Sequence, residues 1–199
     1  MRRVRGKIIA GMLGAAAVLA SPAVFAQEQG VYIGGSYGQS TIKGGCDDLR
    51  SELAGLAVVT GCDDKDSGWK IFAGYRFNTH FALEATYIDF GAMTATARVG
   101  TTPISASGDA TAFGVAAVGI LPIGERFSLF GKAGVLVTDV SATASGGGIS
   151  ASESSSETEL HYGLGATFNL SKRWAIRGEW ERAEDSEVEL MSIGVQYRF

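Results

Sequence analysis

Apolar and polar side chains alternate with period two over most of the chain from residue 30 onward, as strands with two unlike faces require. Eight such stretches occur. Residues 30–39, GVYIGGSYGQ, form the first. In 67–77, Trp69, Ile71, Ala73, Tyr75 and Phe77 oppose Lys70, Phe72, Gly74 and Arg76. In 81–90, Phe81, Leu83, Ala85 and Tyr87 oppose Glu84 and Thr86. The fourth stretch, 111–121, is apolar on both faces. In 126–138, Phe127, Leu129, Ala133, Val135 and Val137 oppose Ser128, Lys132 and Thr138. In 159–170, Leu160, Tyr162, Leu164, Ala166 and Phe168 oppose His161, Thr167 and Asn169. In 174–181, Trp174, Ile176 and Trp180 oppose Arg177, Glu179 and Glu181. The last stretch sets Met191, Ile193, Val195, Tyr197 and Phe199 against Ser192, Gly194, Gln196 and Arg198.

The connections alternate in length. NTH (78–80), PIGE (122–125) and SKR (171–173) are tight turns, whereas 40–66, 91–108 and 140–156 are long, with a shorter acidic connection at 183–187. Short turns at one end and long loops at the other predict an all-β, eight-stranded antiparallel up-and-down barrel. The Ser/Gly-rich 140–156 is expected to be a mobile loop. DDLRSELAGLA, with a capping Asp and leucines at helical spacing, predicts a short helix inside the first long loop.

Parity alone does not say which face is inside. A soluble lipocalin-like carrier would have an apolar calyx, and a membrane barrel an apolar exterior. Residue size decides for the membrane barrel. Gly74, Gly134, Gly163, Gly165, Gly194, Ser128 and Ser192 share the polar parity with the charges. A solvated surface has no use for glycine there, but a narrow eight-stranded interior needs small residues between a few large ones. The apolar parity is nearly free of charge. Trp69, Phe77, Phe81, Trp174, Trp180 and Tyr197 sit near strand ends, as interfacial aromatic girdles do. Asp89 and Asp139 break the pattern only where the strands should be leaving hydrocarbon. Spanning by a closed barrel with short periplasmic turns and long extracellular loops is therefore expected.

The first 26 residues carry Arg2, Arg3, Arg5 and Lys7, an apolar run from Ile8 to Ala20, then Pro22 and small residues. This layout predicts a cleaved secretory leader over 1–26, followed by one barrel domain over 27–199. Removing its four basic residues leaves 13 Lys+Arg against 21 Asp+Glu, a net of −8. That charge argues against nucleic acid as a partner. Cys46 and Cys62 allow one pairing, and disulfides persist in exported chains. The Asp-rich surroundings would also suit a metal, although no His lies near. A disulfide here would contribute about 3 kcal/mol on the chain-entropy model.

GVYIGGSYG, FALEATYIDFG, FSLFGKAGV, WAIRGEWER and the terminal SIGVQYRF resemble the small eight-stranded outer-membrane β-barrel proteins of Gram-negative bacteria, OmpA-like, OmpX-like and opacity proteins among them. The resemblance implies an interior filled by ion pairs in place of an open pore, with Glu84, Lys132, Arg177 and Glu179 in such a network. It also implies that Tyr197 and Phe199 act as the signal read by the barrel assembly machinery. No peptidoglycan-binding domain of the longer members follows, so wall anchoring is not expected. Expected partners are outer-membrane lipid and lipopolysaccharide, the assembly machinery during biogenesis, and a surface ligand at the loops, with the barrel monomeric. No cofactor is expected.

By parity the interior charges are Lys70, Arg76, Glu84, Lys132, Arg177, Glu179, Glu181 and Arg198. Near-balanced pairing is required of them, because an uncompensated charge in a dry interior costs several kcal/mol. A structural plug is the first reading, and a narrow gated conductance the second. Catalysis would need a nucleophile, a base and an orienting acid within reach. His80 falls in a tight turn, and His161 has only the serines at 154–156 in its sequence neighbourhood, so no enzyme is expected. FGKAG lacks the spacing of a phosphate-binding loop. Asp47, Asp48, Asp63, Asp64 and Asp66 make the cysteine-closed loop a candidate recognition surface. Their spacing is not that of an EF-hand, and metal ligation is not expected.

Overall fold

The computed structural model describes residues 29–52, 54, 58–99, 102–146 and 149–199; the expected leader lies outside them. Among these residues, nine strands and one helix follow in order: β1 (Gly30–Ile42), α1 (Gly45–Glu52), β2 (Val58–Asp63), β3 (Lys65–Arg76), β4 (Phe81–Val99), β5 (Thr102–Ile123), β6 (Phe127–Gly146), β7 (Ile149–Asn169), β8 (Trp174–Ala183) and β9 (Val188–Arg198). All neighbouring strands are antiparallel. Eight of them close a ring, β1-β3-β4-β5-β6-β7-β8-β9, in which β9 returns to β1 from Tyr32↔Arg198 to Ile42↔Val188. Closure leaves no strand edge in the spanning zone. Among the described residues no helix is long and apolar enough to cross a membrane.

The tight turns are built locally. Asn78 Oδ1 accepts hydrogen bonds from the amides of His80 (2.8 Å) and Phe81 (3.0 Å). Ser171 Oγ accepts from Trp174 N at 3.0 Å. Each side chain takes over backbone donors that the reversal leaves unpaired.

The two faces separate as the alternation predicts. Ile71, Leu83, Val115, Leu129, Leu164, Met191 and Ile193 are exposed on the outside, while Lys70, Glu84, Lys132, Arg177 and Glu179 are buried within. Aromatic pairs girdle both edges of the apolar band: Trp69 with Tyr87 and Tyr162 with Trp180 above, Tyr75 with Phe77 and Trp174 with Tyr197 below. Inward glycines make room for rings. A side chain at Gly74 would collide with Tyr32, and one at Gly165 with Phe130.

The long loops differ from expectation. Residues 91–99 and 102–108 are not loop but the paired upper halves of β4 and β5, laddered to Val99↔Thr102. Likewise 140–146 and 149–156 pair to Gly146↔Ile149. Serine and glycine suggest mobility, but here each strand is stitched to its neighbour by a ladder that continues from the barrel. The 40–66 connection holds the rest of β1, then α1 over 45–52, which starts earlier than the leucine spacing implies; residues 53 and 55–57 of the expected helix lie outside the described residues. It also holds β2, which pairs with upper β4 through Cys62↔Ala95. A Cys46–Cys62 disulfide ties α1 to β2.

Candidate functional site: the barrel lumen and its mouth

At mid-depth in the lumen, three cations meet three carboxylates. Lys70 Nζ lies 2.5 Å from Glu179 Oε2 and also pairs with Glu181. Lys132 pairs with Glu181, with Glu179 at 2.6 Å and with Glu84 at 3.6 Å. Arg177 forks onto Glu84, Nη1 to Oε2 at 2.6 Å and Nη2 to Oε1 at 3.1 Å, and its Nε donates to Glu179 at 3.0 Å. β8 supplies Arg177, Glu179 and Glu181 at alternate positions, so period two aims all three inward. Their partners come from β3, β4 and β6. Lys70, Lys132 and Arg177 balance Glu84, Glu179 and Glu181, as burial demands.

Of the sequence-identified inward charges, Arg76 and Arg198 are not in this layer. They lie toward the turn end, where Arg76 donates to the carbonyls of Asn78 (3.2 Å) and Thr79 (2.7 Å) and Arg198 to Asn169 Oδ1 (2.6 Å). Arg76 pairs in register with Ala82, below Glu84 on β4, and turn carbonyls and a side-chain amide accept from these two arginines near the periplasmic rim.

The lumen is not polar throughout, contrary to the simplest membrane-barrel expectation. On the turn side, Tyr32, Phe72, Ala82, Val118 and Phe130 form an apolar layer. Arg177 stacks between two of its rings, 4.4 Å from the centre of Phe72 and 4.2 Å from that of Phe130. Tyr32 donates from its hydroxyl to Glu84 at 3.0 Å. On the mouth side, Ile88, Phe90, Ala112, Leu136, Ala183, Val188 and Leu190 form a second apolar layer. The order holds strand by strand: Ala82, Glu84, Ile88 on β4; Phe130, Lys132, Leu136 on β6. Sequence reasoning missed Tyr32, Phe72 and Phe130 as members of the site. Their shared parity with glycines and charges was the available signal.

Higher still, Glu159 accepts from Thr138 Oγ1 (2.5 Å) and from the amide of Ser186 (2.8 Å), pinning the β8–β9 connection. Glu189 joins Lys43 (2.8 Å) and Arg182 (3.2 Å) at the outer rim. Its partial burial pushes the carboxyl up, but hydrogen bonds from Lys43 and Trp180 and the charges of Lys43 and Arg182 outweigh that and hold it below the usual range.

His161 Nε2 is 3.0 Å from Glu181 Oε1, and no hydrogen bond described for it reaches a serine. His80 is exposed in its turn. Among the described residues no group of three or more His, Cys, Asp or Glu is placed to hold a metal ion.

Over residues 10–199 the chain matches the family of the outer membrane protein beta-barrel domain. Among solved structures it is similar to Ail, the attachment invasion locus protein of Yersinia pestis, crystallised with the heparin analogue sucrose octasulfate. That likeness has a TM-score of 0.55 and 22% identity, over 87% of this chain and 100% of the other. OprG of Pseudomonas aeruginosa gives 0.57 and 15%, over 87% and 97%. The N-terminal β-barrel domain of Pseudomonas aeruginosa OprF gives 0.54 and 10%, over 86% and 98%. At such identities the likeness is one of fold. No curated protein matches the chain in sequence. The family match over nearly the whole length agrees with the closed eight-strand ring, the girdled apolar band and the inward charges: the chain belongs to the outer membrane protein beta-barrel domain family and resides in the cell outer membrane.

Proposed function

We propose that this protein is a non-enzymatic surface-interaction barrel, closed to solutes by its layered interior and adhesive through the strands that rise above the membrane. The observation that carries this reading is the height and edge of those strands. β4 to β7 continue as a paired sheet beyond the apolar band, and β7 is bound to β8 only from His161 onward. Residues 150–158 of β7 thus have β6 on one side and, among the described ladders, no strand on the other. Such an edge can accept a strand from a partner through main-chain hydrogen bonds, with alternate side chains giving specificity.

Charge narrows the partner. Glu153 and Glu157 lie on the edge strand, and Asp48, Asp64 and Asp66 line the mouth. Ail was crystallised with a polyanion; this acidic surface suits a basic extended peptide instead. Closure of the ring without a free strand in the spanning zone supports a monomer. The exposure of Phe199 beside Tyr197, with ring centres 5.1 Å apart, supports reading these two residues as an assembly signal.

Replacing residues 143–152 by Asn-Gly joins the pair Ala142↔Glu153 in a tight hairpin and removes the tip of the edge. Cells displaying this variant should keep the heat-modifiable band of a folded barrel and lose adherence to host-cell or matrix protein surfaces. Unchanged adherence would remove the tip of the edge, residues 150–152, from the mechanism.

A further inference from the structure

Above the membrane the outer face of β4 to β6 turns polar and the inner face apolar; on β4 a bulge produces the change, whereas on β5 and β6 the residue types change at unbroken parity. Asp89 pairs with Thr111 but Ala92 pairs with Asp109, so three steps on β4 match two on β5. The extra residue is accommodated at Gly91, whose φ of +79° is open to glycine. Asp66 fastens the bulge, accepting from the amide of Ala92 at 2.7 Å.

One extra residue exchanges the two faces of a strand. Below the bulge, even positions of β4 point inward: Ala82, Glu84, Thr86, Ile88. Above it, Met93 pairs with Gly108 and Ala95 with Ala106, and these in turn with Ala142 and Ala144 of β6. The concave face is therefore apolar and its lining is small. The convex face carries Thr94, Thr96 and Arg98 on β4 and Ser105, Ser107 and Asp109 on β5, all exposed. Without the bulge, Thr94, Thr96 and Arg98 would face the mouth.

The result is a cup of about 470 Å³, walled by Met93, Ala95, Ala110 and Val140 and floored by Phe90 and Val188. The floor residues belong to the upper apolar layer, so the cup does not open onto the ion pairs. Its volume falls within the roughly 300–1,000 Å³ typical of small-molecule sites, which are likewise mostly apolar with a few polar groups at the edge. Here the polar edge is acidic: Asp48, Asp64 and Asp66 line it, against Lys65.

We propose that this cup is a binding site for a single-chain aliphatic cation, its hydrocarbon against Met93, Ala95 and Val140 and its ammonium group at the aspartate rim. A carboxylate of equal chain length meets the same walls but the wrong rim, and electrostatics then select against it. The site stands independently of the adhesive reading, since it uses the inner face of the sheet and not the β7 edge.

The sequence supplies its own control. Beyond residue 26 the methionines are Met93, in the cup, and Met191, exposed on the lipid face. The experiment is methyl NMR of the protein in lipid nanodiscs, 13C-labelled at methionine, titrated with octylamine and with octanoate. Octylamine should shift Met93 saturably while Met191 moves little, and octanoate should need at least about tenfold more to do so. Ala106→Trp, which fills the cup from above the membrane, should abolish the Met93 response with the heat-modifiable fold retained. Parallel, non-saturating shifts of both methyls would mean simple partitioning into lipid and overturn the site. So would equal response to octanoate, or a Met93 response that survives Ala106→Trp.

Discussion

A lysine amine deep in a barrel is tolerable only where carboxylates surround it, and Lys132 has Glu84, Glu179 and Glu181 within its reach. Removing the amine leaves those carboxylates facing Lys70 and Arg177 alone, three against two. Breaking a buried ionic group in this way costs about 3–5 kcal/mol in soluble proteins. Lys132→Met should therefore lower the urea midpoint of the detergent-folded barrel by an amount of that order. Adding Glu181→Gln should recover part of the loss, because it restores the balance at two against two. An unchanged midpoint in Lys132→Met would show that the ion pairs are not what holds the lumen. That Lys132, Glu84 and Glu179 point inward was legible from parity. That Arg177 lies between the rings of Phe72 and Phe130 was not, because the contact spans strands β3, β6 and β8 and depends on the barrel's diameter.

At the scale of elements, the bulge at Gly91 does the most with the least sequence. Asp66 holds it through hydrogen bonds from the amides of Ala92 and Ser67, and these hold the carboxyl below the usual carboxylate range against a slight opposing effect of burial. A depressed folded pKa means the clasp is present in full above the ordinary value near 3.9 and is lost as pH falls through the lower folded one. The Ala92 amide proton should then move upfield at the acid end of a pH titration. In Asp66→Asn that movement should vanish. A flat Ala92 titration in the unmodified chain would show that the carboxylate does not fasten the bulge. Within the membrane the strands were readable because lipid on one side and a crowded interior on the other impose a strict period of two. Above it, Ser, Thr and Ala meet water on one face and a shallow cup on the other, so the contrast fades and 91–108 and 140–156 resemble loops. Whether a glycine such as Gly91 makes a turn or a bulge is fixed by the partner strand's register, which the sequence does not display.

Across the whole molecule, the lumen is a stack: arginines at the turn end, an aromatic layer, the ionic layer, an aliphatic layer, then the cup. In the lower part the structure holds a void of about 30 Å³, bounded by Tyr32, Arg76, Phe130 and Arg177, room for one or two waters. An ion crossing this stack would shed its water twice against hydrocarbon, at Phe72 and Phe130 and again at Ile88, Leu136 and Leu190. Apolar constrictions of that kind close pores by dewetting, without any charged gate. The layered interior and a purely ionic plug therefore differ in what loosening the ion pairs does. If the ion pairs alone closed the lumen, Lys132→Met with Glu181→Gln would conduct. With two apolar seals intact, planar bilayers containing either the unmodified barrel or that double variant should show no discrete openings. Single-channel steps from the unmodified protein would refute the plug and favour the gated-pore reading. Steps from the double variant alone would place the seal in the ionic layer and strip the apolar layers of that role.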